Sequence, residues 1–158
     1  MLKIVGICIL LFAIFYISHS MCEKERARVH LFSEVSKFMH EVRHALTVSM
    51  KPMHEVCRSF KTDEPYFASL LSDGFGSLHD ASAVRELESR LGRGAETFAK
   101  FISGFGRGYL AEEISRCDSA IGEFDSIYAS ERTDTSKRLR VCRMLGLASS
   151  FALVVLFI

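Results

Sequence analysis

The chain has 158 residues and a formal net charge of +1, and 49% of its residues are apolar, which is typical of about one globular domain. Basic and acidic residues are nearly equal in number, so no global positive field favours nucleic-acid binding. Five scattered cysteines without a C-x-x-C pair provide neither a disulfide framework nor a zinc knuckle, and they favour a reducing compartment.

The N-terminal segment from Ile4 to Ile17 contains no charged residue. With its uncharged neighbours it reaches about 17 residues, the lower limit for crossing a bilayer. We predict an N-terminal transmembrane helix over residues 1–20. A cleaved signal peptide is the alternative, because Lys3 and the apolar run also fit that pattern, although no clear small-x-small cleavage site precedes Cys22.

Residues 21–143 are predicted to form an all-α helical bundle domain. In a helix from about Glu23 to Met50, apolar residues recur at three- and four-residue spacing along one stripe. This stripe comprises Leu31, Val35, Phe38, Val42, Ala45, Leu46 and Ser49. Pro52 interrupts the pattern, so a shorter helix is expected from Met53 to Phe60, followed by a polar connector at 61–65.

Beyond Pro65, short apolar-periodic helices alternate with glycine-bearing breaks. The predicted helices are Tyr66–Leu71, Ala81–Leu91 and Ala95–Phe105, and the breaks are Asp73–Gly76, Gly92–Gly94 and Gly104–Gly108. From Tyr109 a longer helical pattern continues through Arg143 into the C-terminal apolar run. The alternation of β-branched residues that typifies a strand is missing from the sequence, so we expect no sheet.

The C-terminal segment from Met144 to Ile158 is uncharged and ends in five large apolar residues. At 1.5 Å per residue it extends about 22 Å, against a hydrocarbon core of about 30 Å. We predict a C-terminal transmembrane helix over 144–158, with flanking Arg140 and Arg143 snorkelling or the bilayer thinning locally. A buried core helix is the alternative for so short an apolar run.

Basic residues beside the two apolar ends predict how the chain is oriented in the membrane. Lysine and arginine accumulate on the cytoplasmic side of membrane proteins. Both clusters lie on the side of the middle domain, so we expect residues 21–143 in the cytoplasm and both termini outside. The topology-determining residues are Lys24, Arg26 and Arg28 after the first segment, and Lys137, Arg138, Arg140 and Arg143 before the second.

The sequence HEVRH, from His40 to His44, matches the H-E-x-x-H pattern in which two histidines hold zinc and the glutamate, here Glu41, activates a water. The predicted buried stripe lies on the opposite side of the helix, so both histidines should face solvent without a dry cavity around them. The extended pattern requires glycine and histidine where this chain has Thr47 and Met50. We therefore predict no catalytic residue, no cofactor and no metal, with a zinc site at His40 and His44 as the alternative.

The sequence does not match the other catalytic patterns that we considered. The glycine run at 104–108 lacks the Lys-Ser/Thr of a phosphate-binding loop, and no strand is predicted before it. The chain also contains no G-x-S-x-G nucleophile elbow. We expect a protein that is not an enzyme and binds no small-molecule substrate.

Four segments spread over nearly the full length carry a resemblance to a known family. They are Met1–Gly6, Met50–Val56, Phe105–Glu113 and Lys137–Gly146 before the apolar tail. Their order and spacing resemble the stage III sporulation protein AB family of endospore-forming bacteria. The chain departs from that family at the turn that opens its long helix, where the family usually has Ser-Asp, and it lacks the family's tryptophan.

The resemblance implies a helical domain similar to the platform protein of type II secretion and type IV pilus systems. It also implies a role in the channel complex that joins mother cell and forespore, in which the protein docks the AA-type ATPase at the mother-cell face. On this interpretation the protein is a non-enzymatic scaffold in the cell membrane, with a cytoplasmic central domain. Its partners would be the membrane, the ATPase and other channel-complex subunits. A membrane-associated zinc peptidase using His40 and His44 is the alternative.

Overall fold

The computed structural model describes the backbone of residues 2–49, 51–106 and 109–157, together with most side chains between residues 12 and 144. Six α-helices make up most of this described part, which contains no strand. They are α1 (Leu2–His44), α2 (Met53–Ser59), α3 (Pro65–Ser72), α4 (Ala81–Leu91), α5 (Arg93–Gly104) and α6 (Leu110–Phe157). A π-helical turn, Ala45–Ser49, follows α1, and a 3₁₀ turn, Gly76–His79, precedes α4. The all-α prediction is confirmed.

Several helix ends lie where proline, glycine and aspartate predict them. Pro65 occupies the first turn of α3, where its missing N–H costs nothing. The carboxylate of Asp80 accepts a hydrogen bond from the Ser82 backbone N–H at 3.3 Å and so caps α4. Gly92 ends α4 with a φ of 51°, a conformation that favours glycine. The predicted break at Gly92–Gly94 was too long, because α5 begins at Arg93.

The chain divides into two compact units, and α1 and α6 contribute residues to both. The central unit is Arg28–Ser130, and the terminal unit is Met1–Ala27 together with Glu131–Ile158. The terminal unit holds eight basic and four acidic residues, which gives it a formal charge of +4. The remaining 12 basic and 15 acidic residues give the central unit −3. The whole-chain charge of +1 therefore conceals two units of opposite sign.

Aromatic rings form the centre of the core in the central unit. Five phenylalanines from α1, α3, α5 and the turns after α2 and α3 contact one another, with ring centroids 5.3 to 6.4 Å apart. These five, the phenylalanine cluster, are Phe38, Phe60, Phe67, Phe75 and Phe98. Pairs with tilted or edge-to-face rings contribute about 0.5–1.5 kcal/mol each beyond area burial. The cluster therefore connects α3, α5 and the C-terminal end of α2 to α1.

The predicted apolar stripe of α1 lies in this core. Its buried members are Leu31, Val35, Phe38, Val42 and Ala45. The stripe ends earlier than predicted, since Ser49 is exposed. It is also wider, because Phe32 and Met39 are fully buried as well. A helix that neighbouring elements cover over a broad arc buries more of its side chains than a helix that packs against one partner along a narrow strip.

A glycine allows α5 to approach α1 and α6 closely. A Cβ atom on Gly94 would lie 2.8 Å from Cε1 of Phe32 and 3.1 Å from Cε2 of Phe124. Both rings are fully buried, and their centroids are 5.6 Å apart. Neither ring can move away without repacking of its surroundings.

The terminal unit contains the two predicted membrane-spanning segments. Within it, the buried hydroxyl of Thr135 in α6 is 3.5 Å from Oε2 of Glu25 in α1. Of these segments, residues 2–20 belong to α1 and residues 144–157 to α6; residues 1 and 158 and most of the side chains lie outside the described part. Among the described residues, no helix has an apolar stretch long enough to cross a membrane. The prediction of flanking transmembrane helices is therefore not confirmed.

We expect Gly94→Ala to lower the free energy of unfolding by about 1–3 kcal/mol, because the added methyl overpacks the site between two buried rings. Gly122→Ala is the matched control: this glycine is exposed in α6, and nothing lies within 4 Å of an added Cβ. The control should be neutral or stabilising by up to about 1 kcal/mol, since alanine favours helix. Urea unfolding of the full chain measures both variants, and equal effects would contradict the close packing at Gly94.

Candidate functional site

The H-E-x-x-H sequence lies in the last two turns of α1, and His40, Glu41 and His44 are exposed there as predicted. The ring of His40 is engaged elsewhere, with Nε2 3.0 Å from Oδ2 of Asp125 in α6. In the part of the chain that the structure describes, no three His, Cys, Asp or Glu side chains come together to hold a metal ion. The zinc peptidase alternative therefore finds no support.

His40 belongs to a polar row that joins α1 to α6 within the central unit. Ser36 Oγ donates to Oδ1 of Asp125 at 2.6 Å. Arg43 donates twice to Asp118, from Nε at 2.6 Å and from Nη2 at 3.3 Å. We call these five residues the α1–α6 clasp. Each of these five side chains has a partner on the other helix, so the clasp joins α1 to α6.

The ion pair of the clasp changes the acidity of its carboxylate. The hydrogen bond from Arg43 lowers the pKa of Asp118 below its usual value. A two-bond arginine–carboxylate pair is stronger than a single contact, although both side chains remain partly exposed to screening by water. The spacing of Asp118 and Asp125, seven residues apart, puts them on one helix face. No motif in the sequence marks either residue as functional.

Two cysteines lie in the core and are poor nucleophiles. Cys57 and Cys117 are both buried. Burial raises the pKa of each thiol, so little reactive thiolate forms at neutral pH. These thiols act as small apolar side chains.

An open groove of about 550 Å³ lies on the central unit. This surface, which we call the α5 groove, is lined by residues from the start of α2, from the turn after α3, from the 3₁₀ turn, and from α5 and the residue that follows it. The lining residues are Met53, Gly74, Phe75, Gly76, Leu78, Glu96, Ala99, Lys100, Ile102, Ser103 and Phe105. Glu96 and Lys100 form an ion pair of 2.7 Å on α5, and most other lining side chains are apolar. This volume and lining suit a site that receives apolar side chains of a partner.

The backbone beside the α5 groove departs from regular geometry. Phe75 has a φ of 63°, a left-handed conformation that is rare for a bulky residue. This conformation is retained because the Phe75 ring packs within the phenylalanine cluster, where the residue is only 3% exposed. Gly74 and Gly106 also have positive φ, at 60° and 81°. Glycine adopts such angles without strain, so the strained residue is Phe75. Strained backbone concentrates at binding and switching sites, so the α5 groove is the candidate functional site.

The basic residues selected from the sequence occupy different surroundings. Those exposed in the terminal unit are Lys24, Arg26, Lys137, Arg138 and Arg140. Arg28 belongs to the central unit, where it is half-buried and its guanidinium lies 5.9 Å from the centroid of the Phe32 ring. The side chain of Arg143 lies outside the described part. Their role in membrane topology stays a prediction.

Comparison with protein families identifies the chain. A family described as stage III sporulation protein AB matches residues 3–158. The chain belongs to this family, as the resemblance of its sequence segments predicted, and the family implies a role in stage III of sporulation. No curated protein and no solved structure is similar enough to the chain to count as a match.

We expect Asp118→Asn to reduce stability at neutral pH, because the variant cannot form the ion pair with Arg43. The folded-state pKa of Asp118 is lowered, so its stabilisation is complete above the unfolded-state pKa of about 3.9 and is lost as the pH falls through the folded-state value. The difference in Tm between wild type and variant should therefore shrink below about pH 4. Asp63→Asn, at an exposed position, is the control. An undiminished difference at low pH would contradict the ion pair.

We expect the purified chain to contain no stoichiometric zinc, because His40 is turned toward Asp125 and the described residues form no group of three metal ligands. Elemental analysis of the wild type and of His40→Ala provides the measurement. Stoichiometric zinc that disappears in the variant would restore the peptidase hypothesis.

Proposed function

We propose that this member of the stage III sporulation protein AB family is a non-enzymatic scaffold of the mother cell–forespore channel or secretion complex. In this role it holds a cytoplasmic AA-type ATPase at the cell membrane on the mother-cell side. The observation that carries the proposal is the α5 groove, an open and mostly apolar surface on a chain whose family works in stage III of sporulation.

The chemistry of the central unit supports binding over catalysis. The best candidates for catalytic groups are used within the fold: His40 contacts Asp125, and the thiols of Cys57 and Cys117 are buried. A scaffold requires no perturbed acid or nucleophile. It requires a surface of fixed shape, because a rigid surface loses less conformational entropy when a partner binds.

The walls of the α5 groove meet this requirement. Phe75 lines the groove and is fixed by three ring contacts, to Phe38, Phe67 and Phe98, at centroid distances of 5.4, 6.4 and 5.6 Å. The opposite lining comes from α5, whose inner face includes the fully buried ring of Phe98. We therefore assign the ATPase or another channel subunit to the α5 groove.

The apolar ends of the chain supply membrane attachment in this proposal. Nine large apolar side chains of the described part are highly exposed, and six of them lie in the terminal unit. These six are Phe12, Tyr16, Ile17, Met21, Val141 and Met144. Four of the six lie within the uncharged sequences at residues 4–17 and 144–158, and Met21 and Val141 lie close to them. Lipid would cover these groups at lower free energy than water.

The test is co-purification of an ATPase with the detergent-solubilised full chain from sporulating cells, identified by mass spectrometry and by ATP hydrolysis. Ser103→Arg places a long cation in the apolar groove at an exposed position, without opening a cavity. We expect the amount of co-purified ATPase to fall about tenfold or more, which corresponds to a loss of about 1.4 kcal/mol at a binding hot spot.

Ser89→Arg is the matched control for this experiment. Ser89 and Ser103 are both exposed on helices, and each hydroxyl donates to the carbonyl three residues earlier, at 2.8 and 3.3 Å. Only Ser103 lines the groove. An equal loss in both variants would argue against the groove, and wild-type protein that retains no ATPase would overturn the scaffold proposal.

A further inference from the structure

A second cleft, of about 520 Å³, lies within the terminal unit between α1 and α6. We call it the terminal cleft. It is lined by Met21, Cys22, Lys24, Glu25, Lys137, Arg138, Leu139, Val141 and Cys142. Its lining combines apolar side chains and thiols with three basic groups, a composition unlike that of the α5 groove.

The apolar part of the terminal cleft is open to its surroundings. Met21 and Val141 are 54% and 53% exposed, although both are large apolar residues. Along the same helices, Ile17 and Met144 are also exposed. An apolar surface of this extent on both helices is typical of a site that another apolar molecule covers.

The charges around the terminal cleft favour an anionic occupant. Sequence 137–143 contains four basic residues in seven, and no acidic residue follows Asp134. Two carboxylates lie near these bases: Glu25, which lines the cleft, is 3.9 Å from Arg138, and Asp134 is 3.6 Å from Lys137. Both contacts are long and both basic side chains are exposed, so the carboxylates neutralise only part of the basic potential, and the unit keeps a formal charge of +4.

We propose that the terminal cleft binds an anionic phospholipid of the bilayer. An acyl chain lies against Met21, Leu139 and Val141, and the lipid phosphate lies against Lys24, Lys137 and Arg138. An anionic phospholipid carries a negatively charged headgroup and two long apolar chains on one glycerol, which matches a basic rim beside an apolar floor. The inference rests on the membrane attachment in the proposed function and adds a requirement for negatively charged lipid.

Partition of the full chain between water and vesicles tests the headgroup contact. Detergent-solubilised protein is diluted into vesicles of phosphatidylcholine, with or without phosphatidylglycerol, and the bound fraction is measured by flotation. The triple variant Lys24→Gln, Lys137→Gln, Arg138→Gln should bind vesicles containing phosphatidylglycerol about 100-fold more weakly than wild type, since each base near an anionic surface contributes about 1 kcal/mol. Its binding to phosphatidylcholine should be unchanged.

A control triple variant removes the same charge from the central unit. Lys51, Arg58 and Arg85 are exposed there, and their replacement by glutamine should leave the preference for phosphatidylglycerol intact. For the acyl contact, Val141→Asn should weaken binding to both vesicles, whereas Val48→Asn, at an exposed valine of the central unit, should not. Circular dichroism confirms that each variant retains its helix content.

The outcomes separate this inference from the proposed function. If wild-type protein binds both vesicles equally, membrane attachment stands and the anionic-lipid site is wrong. If the control triple variant loses as much binding to phosphatidylglycerol vesicles as the cleft variant does, the overall charge of the chain accounts for the preference. The assignment of the lipid site to the terminal cleft is then wrong. If wild-type protein binds neither vesicle, the membrane attachment itself fails.

Discussion

The packing of aromatic rings around Phe38 is the constraint on which the central unit depends. Helices α2 to α5 contain only 7, 8, 11 and 12 residues, and isolated helices of such length are at best marginal in water. Phe38 contacts Phe60, Phe67 and Phe75 at centroid distances of 5.3 to 5.6 Å. Those contacts hold α2, α3 and the turn after α3 on α1, so the short helices derive their stability from the core.

The opposite side of α1 is held by polar contacts. There the α1–α6 clasp connects residues more than 70 positions apart in sequence. Elsewhere on α1, Glu34 is a buried carboxylate that accepts a hydrogen bond from Lys37 of the same helix at 2.7 Å. Burial raises the pKa of Glu34, but hydrogen bonds from Lys37 and Thr62 outweigh that effect and leave the pKa lowered. Apolar packing thus supplies most of the stabilisation, and paired polar groups fix how the two long helices align.

How far sequence predicts this structure depends on whether a signal is local. Proline, glycine and the spacing of apolar residues placed α4 at its observed bounds and the start of α6 within one residue. The π-helical turn Ala45–Ser49 was missed, because it keeps the apolar composition of the α-helix before it. The α5 groove was missed for another reason: its lining residues are spread from Met53 to Phe105, and only tertiary packing brings them together. The glycine-bearing breaks in this region predicted turns, but they did not indicate a binding site.

Strain at Phe75 links the core to the proposed binding surface. A left-handed conformation costs a non-glycine residue about 1–3 kcal/mol, which burial of one phenylalanine ring offsets at about 1.5–3 kcal/mol. The conformation persists only while the ring stays in the phenylalanine cluster, and the same residue shapes the wall of the α5 groove. A change that loosens the cluster would therefore release Phe75 and alter the groove without touching any exposed residue. The shape of the proposed binding surface and the stability of the core therefore depend on the same packing arrangement.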